Sequence, residues 1–164
     1  MSEALLSGES CLGSDTLADA VVEFRRTLKA DGLWAGMRYL NKLSPYRYSA
    51  VFRFEGAMLR NVCLVDREQP DVRECPEMPV TESYCVYVQD AGAEFAVEHA
   101  RMDCRVLGHP KAGCFQSYYG VPLIADDSRL IGTICHFDER PVVLVPKVSG
   151  ILNDVAPAVA NVLR

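Results

Sequence analysis

The residues best suited to chemistry in this 164-residue chain are its seven cysteines, Cys11, Cys63, Cys75, Cys85, Cys104, Cys114 and Cys135. Their number is odd, their spacing is scattered and there is no CxxC, which argues against a disulfide framework and for a reducing compartment. A free cysteine is most often a small buried hydrophobe. His99, Cys104, His109 and Cys114 recur at five-residue intervals, and both residue types suit zinc or iron, or a haem axial position for either histidine. Structural zinc sites use tighter pairs. Even spacing along a loop fixes no geometry, so the pattern favours a polar loop over a metal centre.

Glu98 and His99 are neighbours on an expected strand and diverge to opposite faces. Tyr118 and Tyr119 do the same, one facing the core, with sheet packing the simpler reading and ring stacking on a ligand the sharper one. Asp103 and Arg105 read as a local pair that orders its loop. Trp34, beside Leu33 at a helix start, reads as core or as part of a dimer seam. There is no GxSxG and no phosphate-binding glycine loop.

Composition narrows the classes. Hydrophobic residues make up 49% of the chain, enough for a sizeable core in one domain. The net charge is −5, and the densest basic spot is Arg25, Arg26 and Lys29 on one expected helix face. Nucleic-acid binding needs a basic stripe, so it is not expected. No run approaches the ~20 apolar residues of a membrane helix. The opening MSEALLSGES lacks a secretory pattern. The expectation is a soluble cytoplasmic protein without membrane or nucleic-acid partners.

The elements that must position these groups follow from periodicity. Residues 1–14 are expected to form a loose arm, and 15–164 the domain. Leu17, Ala20, Val21, Phe24 and Leu28 recur at helical spacing, with Asp15 or Thr16 as cap, and Leu33, Met37 and Leu40 continue on a second helix. YSAVFRF (48–54) and AMLRNVCLV (57–65) read as a hairpin. Residues 66–82 and 101–115 read as long loops, uncommon in a compact domain unless they serve a function or are disordered. EFAVEHA (94–100) reads as a third strand, and QSYYGVPLIA and RLIGTICHF as a second hairpin. Pro122 marks an edge or bulge. Gly120 and Gly132 mark places of close approach. Val148, Ile151, Val155, Val159 and Val162 mark a closing helix that Pro157 should kink. Tight turns imply antiparallel pairing, and the class is α+β.

GVPL, a polar turn and LIGTICHFD together resemble the most characteristic segment of GAF domains. HARMDCR (99–105) is similar to that family's D-A-x-x-D-x-R stretch, with His99 where an Asp is usual, and ESYC and SPYRYSAVFRFEG sit at comparable places. The resemblance covers about residues 15 to 163. It implies a central antiparallel sheet of five or six strands, N- and C-terminal helices on one face, and a small-molecule pocket walled by the two long loops on the other. It also implies dimerisation through the terminal helices. No output module follows in the sequence, so a sensor of this kind is expected to act through a partner or as a homodimer, and the cofactor, if any, is unassigned.

The ligand-lining residues expected on this basis are Cys85, Glu98, His99, Asp103, Cys104, Tyr118 and Cys135. Covalent bilin attachment is set aside, because Cys135 and His136 alternate across the sheet. A rival expectation comes from the free methionine-(R)-sulfoxide reductases, which are GAF-fold enzymes. Cys75 and Cys85 in CPEMPVTESYC resemble their cysteine pair, with Cys114 or Cys104 as a third. Those enzymes carry acidic residues where TICHF places Cys135 and Phe137, and glycines where this chain has SYCVYV. A third expectation is a purely structural interaction module.

Overall fold

The computed structural model describes residues 16–163. The expected arm at 1–14, with Cys11, lies outside the described residues. Helix α1 (Leu17–Asp31) begins at a capping box. Asp19 N–H donates to the Thr16 hydroxyl, and the Asp19 carboxylate accepts from Thr16 N–H. Such a cap stabilises a helix by about 1 kcal/mol. Gly32 separates α1 from α2 (Leu33–Lys42). The strands are β1 (Tyr48–Glu55), β2 (Met58–Asp66), β3 (Met78–Pro79), β4 (Phe95–Val97), β5 (Ser117–Ile124) and β6 (Leu130–Asp138). They form one antiparallel sheet in the order β3-β2-β1-β6-β5-β4. The closing helix, here α4, spans Pro146–Val162 and runs on through Pro157.

Side-chain alternation divides the sheet into two faces. Val51, Tyr119 and Ile134 face α1, α2 and α4, burying Phe24, Met37, Leu40, Leu152 and Val155. Burial of each such side chain contributes about 1.5–3 kcal/mol. Ala50, Phe52, Tyr118 and Cys135 face the other way, into a second core with Val88, Val97 and Val106. Both helices at the ends of the chain therefore lie on one face, and loops cover the other. Gly132 sits where β6 meets β1. A Cβ there would fall 2.1 Å from the Phe52 carbonyl oxygen, so the close approach expected at this glycine is to neighbouring backbone.

Three local departures have physical causes. A helix, α3 (Cys85–Ala91), occupies a segment whose sequence, CVYVQDA, is rich in strand-favouring residues and lacks a side-chain cap. It ends at Gly92 in the left-handed conformation. The expected strand at 94–100 is only β4, because Glu98 turns away: its carbonyl accepts from Val142 N–H and its carboxylate from Leu144 N–H. The expected loop at 66–82 is partly ordered. It contains β3 and a 3-10 turn at Val80–Glu82, and Arg73 lies 3.7 Å over the Trp34 ring. Pro122 pairs with β6 where β4 no longer covers β5, so the missing N–H costs no sheet bond on that side.

Candidate functional site

The second face of the sheet holds a cavity of about 260 Å³. Tyr48, Phe52, Leu64, Tyr118 and Phe137 supply its sheet side, and Ser83 and Tyr84 the entry to α3. Cys75 and Met78 come from the first long connection, Lys111 and Phe115 from the second, so both contribute walls. The rings brace one another. Tyr48 stacks on Phe137 at 4.9 Å, and Phe115 meets both edge-on at 5.7 and 5.0 Å. Tyr84 packs against Tyr118 at 5.6 Å and His109 at 4.8 Å.

Behind this wall lies a thiol cluster. Cys85 is fully buried at the start of α3, and its sulfur accepts from the Tyr118 hydroxyl at 3.3 Å and lies 3.2 Å from the Thr133 hydroxyl. Burial pushes the thiol pKa up. Hydrogen bonds from Cys135, Ser83, Thr133 and Tyr118 outweigh that push and draw it down to about 7. Cys135 moves well above the ordinary thiol range, through burial, its hydrogen bond to Cys85 and the charge there. The two thiols therefore do not ionise together, and Cys85 is the one whose surroundings favour the thiolate. Gly120 makes this possible: a Cβ there would lie 2.1 Å from the Tyr118 hydroxyl, so only a bare backbone leaves that ring its position. Cys75, at the cavity wall, is shifted upward by burial first and by the Cys85 charge second.

The structure gathers three of the seven expected ligand residues, Cys85, Tyr118 and Cys135, at this place. The others lie elsewhere. Glu98 is tied to the 142–144 backbone. His99 is exposed at the start of a 3-10 turn. Asp103 pairs with Arg105 at 2.6 Å; the hydrogen bonds and charge of Arg105 outweigh partial burial and hold its carboxyl below the usual range, and Arg105 reaches back to the Ala96 carbonyl. Asp103 and exposed Cys104 line a separate open cleft beside Met102 and Leu107. Cys114, expected in the reductase set, is exposed. Of the evenly spaced metal candidates, His109 uses both ring nitrogens: Nδ1 accepts from Lys111 N–H, so Nε2 donates to the Ser83 carbonyl. Among the described residues no group of three or more His, Cys, Asp or Glu is arranged to hold a metal ion.

Tyr48, Phe115, Phe137, Thr133 and Lys111 were not expected at a site. Phe137 was within reach of sequence reasoning, since it lies two residues from Cys135 on the same strand face. Thr133 follows by the same step. Lys111 and Phe115 lie in a connection whose path no periodicity defines.

On the helix-covered face His136 is buried and neutral. Burial lowers its pKa to about 3, helped by the charge of Arg67. Ser49 accepts from Asn41 and meets His136 Nδ1 at 2.6 Å, while Arg67 holds the Asn41 side chain and carbonyl. This network joins α2, β1 and β6, and it lies apart from the cavity.

The sheet order, the terminal helices on one face and the loop-walled cavity on the other define a GAF fold. Comparison with solved structures agrees. The GAF domain of an Acinetobacter phosphoenolpyruvate-protein phosphotransferase superposes with a TM-score of 0.72 at 11% identity, over 90% of this chain and 92% of that one. A free methionine-R-sulfoxide reductase from Neisseria meningitidis, solved with its substrate, gives 0.68 at 14% identity, over 88% and 86%. The type II free methionine-R-sulfoxide reductase of Thermoplasma acidophilum gives 0.64 at 17% identity, over 87% and 94%. No protein-family profile and no curated protein matches the sequence. At these identities the likeness is one of fold, and function must be argued from the cavity.

Proposed function

We propose that this chain is a small-molecule-binding sensory or regulatory module of the cytoplasm whose ligand occupies the aromatic cavity. The cavity itself carries the reading: about 260 Å³, walled by rings from the sheet and closed by both long connections. An apolar cavity of about 150 Å³ accepts benzene, so this one has room for a two-ring molecule. At about 0.4 kcal/mol per heavy atom, such a ligand gains about 5 kcal/mol, a sub-millimolar dissociation constant. Free cysteines support a reducing compartment. Among the described residues no helix is long and apolar enough to cross a membrane. Val22 and Val162, 68% and 50% exposed on α1 and α4, support self-association through the terminal helices. The signal passes through that dimer or to a partner protein.

The test is a calorimetric titration with naphthamide, a neutral two-ring probe. The native chain should bind it. Cys75→Phe places a ring in the cavity and should abolish binding while the protein still melts cooperatively. Equal binding by both proteins would remove the cavity as the site.

A second reading, a methionine sulfoxide reductase, is favoured by one observation: Cys75 opens on the cavity, with Cys85 close behind it. There a thiolate attacks the sulfoxide sulfur, methionine leaves with a sulfenic acid formed on the cysteine, and a second thiol closes a disulfide with loss of water. Thioredoxin-coupled turnover of free methionine-(R)-sulfoxide, lost in Cys75→Ser, supports it, and no turnover by the reduced protein removes it.

A further inference from the structure

We infer that the cavity is built for an anion with an apolar body, an aromatic carboxylate of one or two rings, whose head group is held by Lys111. The inference rests on the binding reading above and adds to it the charge class of the ligand. Lys111 is the one charged residue among those that line the cavity. Among the described residues its ammonium forms no ion pair with a carboxylate.

The hydroxyl groups of the wall are engaged within the protein. Tyr48 donates to Glu139, Tyr84 to the Phe115 carbonyl and Tyr118 to the Cys85 sulfur, and Ser83 hydrogen-bonds Cys85. The three tyrosine hydroxyls therefore have no proton left to give a ligand, and Lys111 is the one cationic donor at the wall. His109 adds no second positive charge, because burial lowers its pKa and its Nδ1 accepts from the Lys111 backbone. Lys111 brings one positive charge and the Cys85 thiol behind the wall can carry a negative one, so a monoanion suits the cavity better than a phosphate dianion.

The lysine is also placed. Its N–H is bound to His109, and its carbonyl accepts from Cys114 and Phe115 N–H. The stem therefore leaves a fixed turn, and its charge is felt at Cys75. A cation beside an apolar wall is poorly solvated on that side, and a carboxylate supplies the partner it lacks.

The experiment compares naphthoate with its neutral isostere naphthamide by calorimetry at low and high salt. The native chain should prefer the acid about tenfold at low salt, the preference shrinking as salt is added. In Lys111→Met the ratio of the two affinities should fall to near one. Equal affinities in the native chain, or a preference that survives Lys111→Met, would overturn the inference while leaving the cavity reading intact. Failure of both probes to bind would overturn the cavity reading and the inference with it.

Discussion

The Tyr118 hydroxyl is one of four donors around the Cys85 sulfur, and its residue also lines the cavity. Tyr118→Phe removes that donor and leaves the ring. A hydrogen bond to a charged acceptor is worth about 1.5–3 kcal/mol net, and one pKa unit corresponds to about 1.4 kcal/mol. The Cys85 midpoint should therefore rise about 1–2 units from its native value near 7, back toward the ordinary thiol range. The sign for stability follows. A thiol whose folded pKa lies below its unfolded value of 9.0 adds stability above that pH, and loses it as pH falls through about 7. Tyr118→Phe narrows this window from the acid side. The assay is thiolate ultraviolet absorbance against pH, with Cys85→Ser subtracted to remove the other thiols. An unchanged midpoint in Tyr118→Phe would refute the donor account, as would a midpoint that falls.

Further expectations concern the frame. Gly132→Ala should cost about 3 kcal/mol in urea denaturation, because its methyl group meets the Phe52 carbonyl rather than a movable side chain. His136 binds a proton in the unfolded chain below pH 6.5 but in the native chain only near 3, so native stability should fall as pH drops between these values, by up to about 5 kcal/mol, and His136→Gln should flatten that slope. Thr16→Ala should cost about 1 kcal/mol through loss of the α1 cap, read as a lower melting temperature with cavity binding retained.

Long periodic elements were legible in the sequence. The stripe of Leu17, Ala20, Val21 and Phe24 predicts α1, and the alternation in YSAVFRF predicts β1, because one buried face imposes a single period on each. The opposite faces of Cys135 and His136 were legible too, and the structure puts one in the cavity-side core and the other against α2. The site was legible on strands β5 and β6, and at Cys85 at the start of α3. Cys85, Tyr118 and Cys135 come together, but Glu98, His99, Asp103 and Cys104 follow the local turns of the connection after β4. Those turns are set by tertiary hydrogen bonds to the 142–144 segment and by the Asp103–Arg105 pair, which leave no repeating trace in sequence. Helix α3 was hidden by its β-favouring composition. Lys111 was hidden because its orientation depends on a histidine acceptor two residues before it.

The central claim is that the cavity is where a small molecule binds, and aromatic and methyl NMR shifts on titration with naphthamide test it most directly. The account predicts that the largest changes fall on Tyr48, Phe115, Tyr118 and Phe137, with little change at Met102 and Leu107 in the outer cleft. Changes confined to Met102 and Leu107, or no changes at saturating probe, would contradict it.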